Sequence, residues 1–303
     1  MAASPREDRP GAAVLIMASA VFLFTLIDTS AKWLIMAGVP ALQVVFSRYA
    51  GALLTALVFF LPRGGMGEFR SNRPWIQLTR AMALLGSTVF NFLALSYLPI
   101  TLTIAMFFAI PIVTTLLSIP VLGEKVGLRR FLAVVSGFVG VLVIVQPWGA
   151  EFHWAIFFSI GALLSASIYF VLTRLLAGTD NNSTSQLWTN GVATLALVPF
   201  TFGDFVWPEA GVAMFLFLFI GFLGGVSHIL ATLAYRFAPA STVAPVVYVQ
   251  VIYATAVGYL VFNNLPTIWT ALGTAIIIVS GVYIWLRERV HEDAVDAQGD
   301  LRA

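Results

Sequence analysis

Cysteine is absent from the 303-residue chain. Structural disulfides and thiolate chemistry are thereby excluded, and cysteine usage says nothing about the redox compartment. Charge is scarce: 16 basic and 14 acidic residues make up 10% of the chain, where a soluble domain carries about one quarter. So few charges cannot clothe a protein of this size in water. Strand-like alternation is missing too. Runs such as Val212–Leu223 and Phe131–Val145 are continuously apolar, unlike the alternating segments of about ten residues that build a membrane β-barrel. Catalytic signatures are also lacking: there is no phosphate-cradling lysine loop, HExxH helix, Cys/His cluster or paired-aspartate motif. Ser227 sits beside His228, but successive residues on a helix point about 100° apart, so they form no nucleophile–base pair by themselves. An enzyme is not expected, nor a metal, nor a cofactor.

What is present is hydrophobic length. The chain is 60% hydrophobic with mean hydropathy +0.94, and lipid is the solvent that suits it, since a spanning helix needs roughly 20 apolar residues. Punctuating the apolar runs by Gly, Pro and charge gives an all-α integral membrane protein with ten expected spans: 11–37, 40–61, 74–97, 99–121, 128–146, 153–176, 184–202, 209–236, 239–262 and 266–287. The apolar stretch at the N-terminus runs past Ala18-Ser19-Ala20, too long for a 7–15-residue signal core, so an uncleaved first span is expected. Connections are tight, and only the loop Pro62–Arg73 and the tail are sizeable polar segments. One membrane domain, 1–303, is the reading, with 288–303 as a disordered cytoplasmic tail.

Lysine and arginine set the orientation. With the N-terminus in the cytoplasm, the inner segments hold Arg6, Arg9, Arg63, Arg70, Arg73, Lys125, Arg129, Arg130, Arg174, Arg236, Arg287, Arg289 and Arg302. The outer loops hold only Glu151, Asp204 and Glu209. Both termini are therefore expected in the cytoplasm. The pI of 9.0 reflects these inner loops, and no nucleic-acid partner is expected.

The halves overlay on each other. At an offset of 142 residues (174 − 32), Lys32 meets Arg174, Phe46 meets Trp188 and Ser47 meets Thr189. After the second loop the offset becomes 140 (239 − 99): Pro99 meets Pro239, Thr101 meets Ser241, Phe108 meets Tyr248 and Gly140 meets Ser280. Five spans per half is an odd number, so the second half enters the membrane from the opposite side. Repeat 1 covers about 11–147 and repeat 2 about 152–287. Two inverted five-helix repeats can exchange conformations around a midplane site, which favours transport by alternating access.

Here the chain resembles the drug/metabolite transporter superfamily, specifically its ten-helix EamA type. The carriers are Phe24–Lys32, Phe46-Ser47-Arg48-Tyr49, Ala94-Leu95-Ser96-Tyr97, Pro111, Leu122-Gly123-Glu124-Lys125 and the Gly137/Gly140 helix, echoed by Leu233-Ala234-Tyr235 and Ser280–Ile284. One departure is Asn263-Asn264, where the family pattern has Gly-Glu. The resemblance implies a cavity contributed chiefly by helices 1, 3, 4, 6, 8 and 9. Short connections and aromatic content look most like YddG-type exporters, so a neutral or aromatic amino acid is the expected substrate. Export of cationic drugs or other metabolites is the alternative, and a channel or scaffold the rival class. The expected location is a bacterial inner membrane, with proton coupling and oligomeric state left open.

Charges inside spans are costly and mark functional hypotheses by default. Asp28 lies about 14 Å from the outer end of helix 1, with Lys32 one turn further out. Either the two meet substrate charges or a proton, or they neutralise each other at i,i+4. Arg48 is expected to hold helix 2 against carbonyls or Asp28, and Arg80 to snorkel to the inner interface. His228, Asn91 and Gln250 are midspan polar groups that either meet substrate or glue helices. Phe108, Tyr169, Tyr235 and above all Tyr248, whose hydroxyl needs a partner when buried, are the candidate aromatic wall. Pro111 and Pro245 each remove a helical hydrogen bond and are read as gating hinges or fixed bends.

Overall fold

The computed structural model describes residues 9–123, 128–146, 149, 152–176, 179–203, 205–238 and 243–283. Among the described residues every regular element is helical, as lipid demands, because only a helix or a closed barrel satisfies the backbone without water. The helices are α1 Pro10–Met36, α2 Ala41–Gly64, α3 Pro74–Leu95, α4 Ile100–Phe107, α5 Ile110–Leu122, α6 Leu128–Val145, α7 Ile156–Leu175, α8 Asn182–Thr201, α9 Val212–Phe237 and α10 Gln250–Phe262. They are completed by α11 Ile268–Tyr283. Short 3-10 turns occupy Gly65–Phe69 and Ala244–Val249.

Proline and glycine set the boundaries. Pro10 and Pro74 open α1 and α3 at positions where a missing N–H costs nothing. Gly38, at φ +90°, makes the turn into α2, and Gly123, at φ +70°, caps α5 in the left-handed conformation. The Gly-Glu position of the family pattern is Asn263 at φ +52°, a conformation asparagine tolerates better than most residues.

Among the described residues six helices are long and apolar enough to cross a membrane: Pro10–Met36, Ala41–Pro62, Pro74–Leu95, Ile100–Leu122, Ile156–Leu175 and Val212–Tyr235. The expected fifth, ninth and tenth spans form the shorter apolar helices Phe131–Val145, Val246–Phe262 and Ile268–Tyr283. Residues 239–242 and 284–287 of those expectations, and the tail 288–303, lie outside the described residues. The expected seventh span is α8, 20 residues long; its first turns, Asn182-Ser183-Thr184-Ser185-Gln186, are polar and keep it out of the apolar set.

Two packing features position the centre of the molecule. The closest-knit helix pairs are α1 with α9 and α3 with α7, while α2 lies between α8 and α9. Gly51 and Gly221 make the α2–α9 crossing so tight that a Cβ on Gly221 would lie 2.4 Å from the Gly51 Cα, the close approach that small residues permit in membranes. On the other side α6 crosses α11. A Cβ on Gly137 would meet Ser280 Cβ at 3.4 Å, and one on Gly140 would meet Ile277 Cγ1 at 2.8 Å.

The fourth span is broken. α4 stops at Phe107 and α5 starts at Ile110, with Pro111 at the first positions of the new helix. Pro245 likewise opens the 3-10 stretch Ala244–Val249, which passes into α10 at Gln250. Each interruption thus lies next to a proline that cannot donate to the ladder.

Candidate functional site

Midway along α1, Asp28 accepts a hydrogen bond from Asn91 Nδ2 of α3 at 2.9 Å. Asn91 is buried, and Asp28 keeps part of its surface. On α2, Arg48 is buried. Arg48 itself donates to Thr88 Oγ1 at 3.2 Å and lies 4.7 Å from the Tyr49 ring centre. Proton accounting orders this group: Thr88 gives its hydroxyl proton to the Leu84 carbonyl, so Tyr49, 2.8 Å away, donates to Thr88. Arg48, expected to hold helix 2 against carbonyls or Asp28, instead meets the Thr88 hydroxyl of α3.

Aromatic pairs join α1 to α9 and α10 and link the two helix breaks. Phe24, one turn before Asp28, meets the His228 ring edge-on, centroids 5.0 Å apart. Phe22 meets Tyr253 of α10 at 5.3 Å. Phe108, at the break between α4 and α5, meets Tyr248, at the break before α10, at 5.5 Å. The Tyr248 hydroxyl points at Gly281 of α11, where a Cβ would sit only 2.0 Å from it. Glycine is therefore what leaves this tyrosine its place. Phe108 is buried and Tyr248 partly exposed, as is Gln250 at the start of α10.

Lys32 does not pair with Asp28. It is 8% exposed and donates to the carbonyls of Leu95 and Leu98, at 3.1 and 2.6 Å. Its Nζ also lies 5.6 Å from the Phe262 ring. The physical reason is at the end of α3: Leu95 is four residues before Pro99, which has no N–H to give back. The end of a helix carries unpaired carbonyls and partial negative charge, and the ammonium satisfies both.

Arg80 does not snorkel either. It is 4% exposed, and Nε donates to Thr173 at 2.7 Å, Nη1 to Thr189 at 2.9 Å and Nη2 to the Tyr169 hydroxyl at 2.8 Å. Longer bonds reach Gln77 Oε1 and the Ser185 carbonyl, both at 3.4 Å, and the guanidinium lies 4.5 Å from the Tyr169 ring centre. Arg80 thus ties α3 to α7 and α8, and Tyr169 is engaged by arginine. Tyr235 is 45% exposed near the far end of α9, away from the Asp28 group.

The Arg80 network continues into a loop that sequence reasoning left unremarked. Gln77 Nε2 donates to Asp180 at 2.9 Å, and Ser71 Oγ, Asn72 N and Asn72 Nδ2 donate to the same carboxylate at 2.5, 2.8 and 3.2 Å. Ser183 donates to Glu68, and Trp188 Nε1 to the Phe69 carbonyl at 2.9 Å. Partial burial works to raise the Asp180 carboxyl, but the bonds from Ser71, Gln77 and Asn72 together outweigh it and hold the group below its ordinary value of 3.8. The only signal was a polar Gln77 within an apolar run.

Comparison with known proteins decides the class. A family model described as EamA-like transporter family matches residues 11–146 and again 153–286. The chain belongs to that family. It is a multi-pass membrane transporter of small molecules and not an enzyme. A riboflavin transporter of Rhizobium johnstonii is 30% identical over 96% of each chain. An S-adenosylmethionine uptake transporter of Rickettsia prowazekii is 23% identical over 82% of this chain and 83% of its own. The pseudopaline exporter CntI of Pseudomonas aeruginosa is 25% identical over 88% and 93%. A protein of known crystal structure superposes with TM-score 0.64 over 93% of this chain and 99% of its own, at 19% identity, a likeness of fold alone.

Proposed function

We propose that this transporter carries a planar heteroaromatic metabolite of the riboflavin kind by alternating access, at a site between two inverted five-helix repeats. The observation that carries the reading is the midspan group itself. An aspartate–asparagine pair, Asp28 with Asn91, lies one helical turn from Phe24, which meets the His228 ring. Such a group offers hydrogen-bond donors and acceptors to ring nitrogens and carbonyls, and flat surfaces for stacking. The relatives add to it: riboflavin and S-adenosylmethionine both contain flat nitrogen heterocycles, and the 30%-identical relative is named for the first. Those names lend nothing to the amino-acid expectation, which becomes the competing arm of the assay. They include both an uptake transporter and an exporter, so direction follows the gradient of substrate or coupling ion and not the family.

Reciprocal contacts support the inverted repeat. At the offset of 140 (280 − 140), the contact of Gly137 with Ser280 exchanges into that of Gly140 with Ile277, and both are made. Phe108 and Tyr248 are repeat mates in direct contact, as residues beside a two-fold axis are. The pairs α1–α9 and α7–α3 exchange in the same way. The ten spans, the two repeats at about 11–147 and 152–287, and the hinge roles of Pro111 and Pro245 belong to this reading. So does an orientation in a bacterial inner membrane with the Gly65 end of the bundle in the cytoplasm, from the one-sided distribution of Lys and Arg.

The test uses purified protein in liposomes. Riboflavin counterflow is expected to depend on the protein, to be competed by flavin-like heterocycles, to fall at least about ten-fold in Asp28→Asn, the loss of one charge-assisted contact, and to fall about three- to ten-fold in His228→Ala, the loss of one stacking surface. Counterflow of labelled aromatic amino acids with none of riboflavin would replace the substrate assignment.

A further inference from the structure

Proline at two equivalent places leaves each half of the chain one carbonyl that its own helix ladder does not pair. Leu95 lies four residues before Pro99, and Tyr235 four residues before Pro239; neither proline can complete the i→i+4 bond. Leu98 and Ala238 immediately precede the same prolines. In the first half these carbonyls are taken by a cation from another helix, Lys32 of α1. The residue that the repeat puts at the equivalent place is again a cation, Arg174 of α7. Its side chain is exposed in this structure.

A staple at each of these places would join the same pair of bodies at opposite ends. Lys32 ties α1 to α3, while α1 packs on α9 and α3 on α7. A bond from Arg174 to the end of α9 would tie α7 to α9, the same two helix pairs joined at the other face of the membrane. The Lys32 end is shut in this structure: α1 touches α3, and Gly258 of α10 is so close to Ile100 and Thr101 of α4 that a Cβ would meet them at 3.2 and 3.5 Å. Among the described residues α7 and α9 have no comparable packing.

We propose that Lys32 and Arg174 are alternating gate staples. Lys32 holds the outer end closed by donating to Leu95 and Leu98, and Arg174 holds the inner end closed in the opposite state by donating to the carbonyls of Tyr235 and Ala238. The proposal rests on the inverted repeat and the orientation given above, but not on the substrate. It makes Lys32 and Arg174 positioning residues of the transport cycle, outside the substrate contact.

The natural absence of cysteine makes the test direct. A single reporter, Thr101→Cys, sits 5% exposed at the closed outer end. Its labelling by a membrane-impermeant maleimide from outside right-side-out vesicles reads the outward-open population. Lys32→Met is expected to raise the labelling rate about ten-fold or more, the weight of one charge-assisted hydrogen bond, and Lys32→Arg to keep it low. Adding Arg174→Met to Lys32→Met is expected to bring the rate back down, because the competing staple is then lost too. A misfolded Lys32→Met protein would not be restored by a second substitution. Unchanged labelling in Lys32→Met, or no reversal in the double variant, would overturn the proposal. Labelling needs no substrate, so an absence of riboflavin flux sinks the functional reading without touching this one.

Discussion

The two ends of the bundle solve the same problem with different chemistry. At the Gly38 end, Lys32 closes on two backbone carbonyls, and the Gln43 side chain pairs with both the N–H and the carbonyl of Val206. At the Gly65 end, Arg80 serves hydroxyls, an amide and a carbonyl from three helices, and Asp180 collects donors from the α2–α3 loop. The first end is a small set of bonds to backbone. The second is a connected side-chain network ending in a carboxylate. Local clamps can open with few partners lost, whereas a connected network rigidifies what it joins. The contrast casts the Gly38 end as the cheaper one to part.

That contrast can be broken by substitution, and the largest effect belongs to Arg80. Arg80→Met should lower stability by about 3 kcal/mol or more, since it leaves several buried acceptors without their donor, read as a drop in Tm of the detergent-solubilised protein. Lys32→Met should cost less, about 1–2 kcal/mol, because only two helix-end carbonyls lose a partner. Equal losses in the two variants would erase the distinction. Asp180→Ala should cost about 1 kcal/mol or less, as expected of a group at the solvated edge.

Its pH dependence sharpens the comparison. The Asp180 carboxyl is held below its ordinary 3.8, so its contribution is present above that value and is lost as pH falls through the lower folded value. Tm in the wild type should therefore fall on acidification below about pH 4 more steeply than in Asp180→Asn. The smallest effect is expected at the other clamp. Gln43→Leu should cost up to about 1 kcal/mol, with a wild-type-like pH profile, because the amide carries no titrating proton.

Much of the fold was legible because lipid leaves helices little freedom: apolar runs bounded by Pro and Gly located the elements to within a few residues. The break of the fourth span was legible in Pro111, although the interruption falls just before it, at Phe108-Ala109, where the proline's missing N–H is felt. What one dimension does not carry is which helix faces which. Arg80 lies near a helix end and was assigned to the interface on that ground, yet α7 and α8 bring Thr173, Tyr169 and Thr189 to it. Lys32 is offered a partner in Asp28 by spacing, as one of two readings. Its actual acceptors were written in the sequence as Pro99 four residues after Leu95, a signal about carbonyls and not about charges. Asp28, Asn91, Phe24 and His228 come from three helices. The polarity of Asp28, Asn91 and His228 was visible; that Asn91 reaches Asp28 and that Phe24 meets His228 was not.

The account turns on whether that meeting point handles a flat heterocycle. Riboflavin counterflow into liposomes holding the purified chain tests it most directly, run beside His228→Ala and a panel of aromatic amino acids. The prediction is protein-dependent riboflavin exchange that falls about three- to ten-fold in the variant, with the amino acids failing to compete. Exchange of amino acids alone, or riboflavin exchange indifferent to His228→Ala, would contradict it.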